Sequence, residues 1–447
     1  MAPDLTKGSV LNNLIRFSTP FFLSYFLQTL YGLADLFIVG QYNGADVITA
    51  VSAGSQIMHM MTVIIVGLAM GCTVMISQAV GARQVERVSH TIGNTMTIFF
   101  IFSIVFSIVL VALVHPIMQI MSIPAESLQQ TKAYLVICFV GIPVITAYNV
   151  ISSVLRGMGD SQTPMYFVAI ACVINIALDY FFIGILDWQA VGAALGTVLS
   201  QTCSVLFAVV FIWKKDIGVR LCAKHLKPNK QLICSILQIG FPIALQDGLI
   251  QVSFLVITII ANTRGVEIAA AVGIVEKIIS IIFLVPSSML SAVSAIAAQN
   301  IGAGKHQRAT KTLRYSILIT VVFGICVSII VQFVATPLVG LFTTDRAVII
   351  YGGQYLRSYV FDCIFAGVHF CFSGYFCAYQ KSIFSFIHNI ASIIAVRIPG
   401  AYLASVLFPQ SLFPMGIAAP AGSILSALIC FVIYWKLFRN QSEKNMR

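Results

Sequence analysis

The chain has 447 residues, of which 59% are hydrophobic and only 9% are charged. Soluble globular domains carry about 25% charged residues, so this composition excludes an ordinary soluble protein and indicates an integral membrane protein. The formal net charge is +11. Because the basic residues are grouped at the ends of apolar runs, they indicate membrane topology rather than a nucleic-acid partner.

Long apolar runs recur from Leu11 to Leu437. A bilayer core about 30 Å thick requires about 20 apolar residues per helix. The sequence therefore predicts an all-α polytopic membrane protein with twelve transmembrane helices. In chain order the predicted spans are residues 12–40, 48–76, 92–114, 132–155, 164–184, 190–213, 233–262, 267–297, 315–340, 350–379, 383–407 and 413–437.

The basic residues are distributed unequally between the two sets of loops. One side has Lys7, Arg16, Arg83, Arg87, Arg156, the run from Lys214 to Lys230, Lys305, Arg308, Lys311, Arg314, Lys381 and the tail from Lys436 to Arg447. The opposite side has only Lys132, Arg264, Arg346 and Arg357. Since positive charge marks the cytoplasmic side, both termini are predicted to be cytoplasmic, and a multi-pass protein of a bacterial inner membrane is expected.

The chain repeats itself at an offset of about 221 residues. The segment "FSTPFFL" (17–23) resembles "IGFPIAL" (239–245), and "ISQAVGARQVER" (76–87) resembles "AAQNIGAGKHQR" (297–308). The repeat predicts two six-helix bundles related by an axis along the membrane normal, with a central cleft that holds a transported substrate. The predicted boundaries are 1–213 for the first bundle, 214–232 for a basic cytoplasmic linker, and 233–447 for the second bundle with a short tail.

Acidic residues inside apolar spans are costly, so each requires a partner or a function. Asp35 and Asp179 lie about five residues from the outer ends of their spans, and Thr197 lies near the same depth. Asn175 shares a helix face with Asp179 because it precedes it by four residues. No buried base is present in the first six spans, which favours a proton or sodium site over a structural salt bridge. Depth alone does not establish that the four side chains face one another.

The second half has acids and bases at similar depth. Asp247, Glu276, Lys277, Asp362 and Arg397 all lie near the middle of their spans. One interpretation is a structural ion-pair network within the second bundle. The alternative is that Asp247, Glu276 or Asp362 faces the cleft and binds a cationic substrate.

Four motifs, in order, resemble the multidrug and toxic compound extrusion (MATE) transporters. They are "LADLFIVG" (33–40), "VLRGMGDSQTP" (154–164), "NIALDYFFIG" (175–184) and "VGAALGTVLSQ" (191–201). The resemblance covers essentially the whole chain and implies a V-shaped fold of two bundles. It also implies export of cationic or amphiphilic compounds in exchange for H⁺ or Na⁺, with the coupling site at Asp35, Asn175, Asp179 and Thr197.

The chain departs from some branches of the family in the seventh span. Those branches have an acidic residue where this chain reads "LIQVSF" (249–254), so that Gln251 replaces the acid and Asp247 lies about one turn earlier. The chain therefore resembles the branch that keeps its coupling acids in the first bundle. Asp247 and Gln251 remain candidates for the substrate cavity or for a structural network.

Other functions fit the sequence less well. A flippase for lipid-linked sugars or phospholipids requires a basic cavity for phosphate, and the first half has no buried base. An enzyme requires a nucleophile with a base, or a metal cluster, near a membrane face, and a receptor requires long loops or a signalling domain. The eleven cysteines form no CxxC pair or Cys/His cluster. We therefore expect a monomeric transporter, in contact with membrane lipid, without enzymatic activity, cofactor or resident metal.

Overall fold

A computed structural model of the chain describes residues 4–214 and 222–439. These residues are almost entirely helical, with no β-strand among them, which confirms the predicted all-α fold. Residues 215–221 of the predicted linker and residues 440–447 of the predicted tail lie outside the described part of the chain, as do residues 1–3.

The helices of the first half begin with the long α1. They are α1 (Val10–Tyr42), α2 (Ala45–Gly81), α3 (Val85–Ala112), α4 (Val114–Ile120), α5 (Leu128–Val140), α6 (Ile142–Gly157), α7 (Gln162–Asp179) and α8 (Gln189–Lys214). A π-helical turn, Tyr180–Ile185, extends α7.

The second half follows the same plan. Its helices are α9 (Lys230–Asn262), α10 (Val266–Ile282), α11 (Leu284–Gly302), α12 (His306–Gly340), α13 (Arg346–Tyr359), α14 (Asp362–Ala378), α15 (Ile383–Ser392), α16 (Ile398–Leu407) and α17 (Phe413–Tyr434). A π-helical turn, Ile393–Arg397, joins α15 to α16, and another, Trp435–Arg439, follows α17.

The helices agree with the predicted membrane spans. In the described residues, ten helical segments are long and apolar enough to cross a bilayer. Two bent pairs, α5 with α6 (47°) and α13 with α14 (43°), bring the number to twelve if each pair is one span. Pro143 lies in the first turn of α6, where its missing N–H costs no helical hydrogen bond. The chain is thus a multi-pass membrane protein.

The described residues form two compact units. Among the described residues, the first unit contains residues 4, 23–214 and 222–240, and the second contains residues 5–22 and 241–439. We call these the first and second bundles. The first turns of α1 and α9 thus belong to the opposite bundle from the rest of each helix, and the boundaries lie close to Pro20 and Pro242, which interrupt the helical hydrogen bonds. The sequence-based division at residues 213 and 233 remains a prediction.

Each bundle has its own apolar core. Ile38, Val51, Leu135 and Phe139 belong to the core of the first bundle. Ile257, Val275, Leu356 and Met415 belong to that of the second. Large apolar side chains also remain exposed along the helices, as Phe100 and Phe333 do, and this is expected where a helix faces lipid instead of water.

A short segment before α9 docks on α3 in the first bundle. Asn94 Nδ2 donates to the His225 carbonyl (3.4 Å), and Asn94 Oδ1 accepts from the Asn229 N–H (2.6 Å). Thr97 Oγ1 donates to the Leu226 carbonyl (2.9 Å). Gly93 permits this approach, because a Cβ atom there would collide with the His225 carbonyl oxygen. Residues 222–229, which we call the docking segment, are therefore held through their backbone groups, which bond to the Asn94 and Thr97 side chains of α3.

A similar segment precedes α1 and docks in the second bundle. Lys305 Nζ donates to the Thr6 carbonyl (2.9 Å). Arg308 donates to the carbonyls of Gly8 (Nη1, 2.9 Å) and Lys7 (Nη2, 3.2 Å). These bases belong to the repeated motif at 297–308, so that motif anchors the chain ahead of a first helix.

Candidate functional site

The predicted acids of the first half meet inside the first bundle. Asp35 on α1 is 4% exposed, Asn175 on α7 is 1% exposed, and Asp179 at the end of α7 is fully buried. Asp35 lies within interaction distance of the Asp179, Asn175 and Thr197 side chains. The structure thus supplies the angular alignment that depth along the helices could not establish.

Most polar atoms of this group have no hydrogen-bond partner in the described chain. Asp35 Oδ1, both carboxylate oxygens of Asp179 and both polar atoms of the Asn175 amide are buried without one. The Thr197 hydroxyl donates to the Ala193 carbonyl of its own helix (3.1 Å), which leaves its oxygen lone pairs available. Buried polar atoms without a partner are uncommon and point to a bound ion, proton or water.

The backbone around Asp179 creates the space for its carboxylate. Gly196 on α8 faces Asp179, and a Cβ atom there would collide with Asp179 Oδ1 and would lie 3.7 Å from Asn175 Nδ2. Asp179 is also the last residue of α7 before the π-helical turn Tyr180–Ile185. Such turns are frequent at functional sites. Gly196 is not among the site residues predicted from the sequence, although it lies in the motif "VGAALGTVLSQ" (191–201).

Two tyrosines lie beside the acids. Tyr134 on α5 is 2% exposed and shares a 3.0 Å hydrogen bond between its hydroxyl and that of Ser55. Tyr31, one turn before Asp35 on α1, is an electrostatic neighbour of that acid. In the described residues no lysine or arginine pairs with Asp35 or Asp179.

This arrangement determines what the site can do chemically. Two carboxylates that share a buried space repel each other when both are ionised, and no fixed positive charge compensates for them. Their charge can be balanced by a proton held between them or by a hard cation. Oxygens of Asp35, Asn175, Asp179 and Thr197 form the ligand type that hard cations prefer.

Three of the six second-half candidates also come together. Arg397 Nη2 donates to the Tyr359 hydroxyl, and the guanidinium lies over the rings of Phe254 (4.9 Å) and Tyr359 (5.8 Å). Asp362 and Glu276 are electrostatic neighbours of Arg397, although neither forms a direct ion pair with it in the described residues. Asp362 is fully buried, and the Thr258 hydroxyl donates to Glu276 Oε2 at 3.4 Å.

No hydrogen bond or ion pair joins the other three candidates to this group in the described residues. Asp247 is half-buried and accepts a hydrogen bond from Gln246 Nε2 at 3.2 Å. Gln251, one turn further along α9, is also half-buried. The Lys277 side chain is exposed, although the sequence placed it among the buried charges. Because Glu276 and Lys277 are consecutive, α10 directs them about 100° apart, and only Glu276 faces the cluster.

The docking segment brings together a cluster that the sequence did not predict. Glu86, His90 and His225 offer atoms within 4.8 Å of one another. His225 Nδ1, however, accepts a hydrogen bond from the Cys222 backbone N–H (3.0 Å), so the ring proton of the neutral imidazole is on Nε2. Lys224 Nζ also lies 2.8 Å from Glu86, and this carboxylate raises the pKa of Lys224. The proton on Nε2 and the adjacent ammonium group disfavour a metal ion here.

The described residues thus form two bundles of membrane helices, and the first encloses an acidic pair that has no basic partner among those residues. A family model described as MatE matches residues 20–181 and again residues 242–403. The chain therefore belongs to the multidrug and toxic compound extrusion family, whose members are transporters. The resemblance in the four motifs is thereby confirmed.

Individual relatives agree with this assignment over nearly their full length. The chain is 28% identical over 447 residues to the probable multidrug resistance protein YpnP of Bacillus subtilis, covering 99% of this chain and 100% of the relative. It is 25% identical to the multidrug export protein MepA of Staphylococcus aureus, covering 90% and 87%. The fold matches a MATE crystal structure in complex with MaL6 (TM-score 0.91, 22% identity, 99% of each chain).

Proposed function

We propose that this protein is a secondary active antiporter that exports cationic or amphiphilic drugs or metabolites in exchange for H⁺ or Na⁺. Its coupling site is the group Asp35, Asn175, Asp179 and Thr197 in the first bundle. The observation that carries the proposal is the pair of buried carboxylates with unpartnered oxygens and no basic partner in the described residues. The multidrug names of the relatives in Bacillus and Staphylococcus support the substrate class.

The coupling follows from charge balance in a low-dielectric environment. A cation that enters the site removes the repulsion between Asp35 and Asp179 and stabilises the arrangement of α1, α7 and α8 that encloses it. A substrate that favours the other arrangement is released when the cation binds, because a ligand shifts a conformational equilibrium only by its differential affinity for the two states. Reciprocally, substrate binding lowers cation affinity.

We also propose the orientation of the protein. The loops rich in lysine and arginine face the cytoplasm, with both termini and the docking segment on that side, and the membrane is a bacterial inner membrane. The cation then enters from outside, down its gradient, while the substrate leaves.

The test is gradient-driven efflux of a fluorescent lipophilic cation from proteoliposomes. Separate pH and sodium gradients identify the coupling ion. We expect Asp35→Asn to insert and fold yet to lose gradient-driven efflux under both conditions. Asp46→Asn, which removes an exposed acid at the start of α2 in the same bundle, is the matched control and keeps it. Full efflux by Asp35→Asn would contradict the proposed site.

A further inference from the structure

The two bundles have equivalent tyrosines beside their buried charges. Tyr134 and Cys138 on α5 are electrostatic neighbours of Asp35. About 221 residues later along the repeat, Tyr355 and Tyr359 on α13 are electrostatic neighbours of Arg397. Position 134 is equivalent to 355 in the repeat, and 138 is equivalent to 359. Asp35 in the first bundle and Arg397 in the second thus lie beside equivalent positions.

The charges at these two places differ in one respect. In the first bundle the two carboxylates of Asp35 and Asp179 have no lysine or arginine paired with them in the described residues. In the second bundle two carboxylates, those of Glu276 and Asp362, are electrostatic neighbours of the Arg397 guanidinium. Glu276 itself occupies the repeat position of Ser55, the residue whose hydroxyl shares a hydrogen bond with Tyr134.

Arg397 is held in place by its surroundings. Its Nη2 donates to the Tyr359 hydroxyl, and the rings of Phe254 and Tyr359 lie against the guanidinium, where their π-electron faces attract a cation. Arg397 is the last residue of a π-helical turn, and Asp179 in the first bundle is the residue directly before one. A guanidinium stays protonated at any physiological pH, so this positive charge cannot leave during a transport cycle.

We propose that Arg397 is a built-in cation that takes, in the second bundle, the place of the exchangeable cation in the first. This inference rests on the proposed function of the first bundle. Arg397 is a positioning residue that neutralises the cluster of Glu276 and Asp362 permanently. The protein consequently has one coupling site per chain, although its repeat provides two positions for one.

The proposal predicts that removing the guanidinium opens a second cation site. In Arg397→Gln the acids Glu276 and Asp362 lose their fixed counter-charge and become an acidic pair like Asp35 with Asp179, beside an amide like that of Asn175. We expect the number of cations bound per purified chain to double, measured as ²²Na⁺ binding and as protons taken up in weakly buffered solution. Arg397→Lys keeps a positive charge and is expected to show the wild-type number.

The decisive variant combines both bundles. The double variant Asp35→Asn/Asp179→Asn lacks the first site and is expected to bind no coupling cation. Adding Arg397→Gln to it is expected to restore cation binding. Absence of restored binding in the folded triple variant would overturn the proposal. If the triple variant fails to fold, adding Glu276→Gln to it leaves Asp362 as the single acid of the second cluster, and this variant, still without the first site, is expected to bind one cation. A folded protein without it would contradict the proposal equally.

This experiment separates the inference from the function on which it rests. If Asp35→Asn/Asp179→Asn loses cation binding and Arg397→Gln restores none, the coupling site stands and the role of Arg397 is wrong. If Asp35→Asn/Asp179→Asn keeps full cation binding, the proposed coupling site is wrong, and the inference fails with it.

Discussion

Asp179 Oδ1 lies against the backbone of Gly196, where only the absence of a Cβ atom leaves room for the carboxylate. The buried acid on α7 and the glycine on α8 are thus complementary in shape. Thr197, the next residue, adds its hydroxyl to the same site. The position of the acid depends on the close packing of two helices.

The variant Gly196→Ala tests this complementarity. The added methyl group must displace the Asp179 carboxylate, so we expect a loss of about 1–3 kcal/mol in stability and a marked reduction of gradient-driven efflux. Thermal unfolding in detergent and efflux from proteoliposomes measure the two effects. Gly32→Ala on α1 is the control, because no atom lies within 4 Å of its Cβ position. Equal melting temperatures and equal efflux rates for the two variants would contradict the proposed packing of Asp179 against Gly196.

The docking segment gives a second prediction. Asn94 is fully buried and holds two backbone groups of residues 222–229. Asn94→Ala leaves both groups without these partners, and we expect a cost of about 1–3 kcal/mol with faster proteolysis of the docking segment. Asn149→Ala removes an amide that bonds only to its own helix at Ile145 and is expected to leave the proteolysis rate unchanged. Unaltered proteolysis in Asn94→Ala would refute the proposed role of the amide.

The segment before α1 gives a parallel prediction in the second bundle. Arg308 donates to two backbone carbonyls of this segment and, through Nε, to Asn300 Oδ1 (3.1 Å). Because several of these contacts are exposed to solvent, we expect Arg308→Ala to cost about 1–2 kcal/mol. Arg314 is an exposed base on the same helix, so Arg314→Ala is the control for the loss of charge alone. A similar melting temperature for both variants would contradict the prediction.

The orientation can be tested with a cysteine of the chain itself. Cys222 is exposed at the start of the docking segment. If that segment faces the cytoplasm, a membrane-impermeant maleimide will label Cys222 only after the cells are permeabilised. Cys222→Ser identifies the signal, because Cys234 and Cys326 are also exposed, within α9 and α12. Labelling of Cys222 in intact cells would reverse the proposed topology.

Much of the fold could be predicted from the sequence because hydrophobicity determines which segments enter a membrane. The twelve predicted spans correspond to the observed helices, including the two bent pairs. Counting residues along the helices also predicts a similar depth for Asp35 and Asp179, and this stays a prediction. Their proximity is not predicted in this way, because it depends on the rotation of α1 and α7 about their axes, which a count of residues does not give.

The orientation and packing of individual side chains could not be predicted from the sequence. The apolar span around Lys277 predicts a buried charge, yet the helix turns about 100° between Glu276 and Lys277, and the Lys277 side chain is exposed. The docking segment is held mainly through its backbone carbonyl and N–H groups, whose partners do not depend on the type of side chain in the segment. The apolar span of Arg397 predicts a buried charge, but its position against the rings of Phe254 and Tyr359, with two acids as electrostatic neighbours, depends on the packing of α9, α10, α13 and α14.

Substrate-induced release of the coupling ion tests the central claim most directly. Purified protein is loaded with ²²Na⁺, or equilibrated in weakly buffered solution, and a cationic substrate is added. We predict release of Na⁺ or protons from the wild-type protein and none from Asp35→Asn/Asp179→Asn, although the variant is folded. Undiminished release from this variant would contradict the assignment of the coupling site to the first bundle.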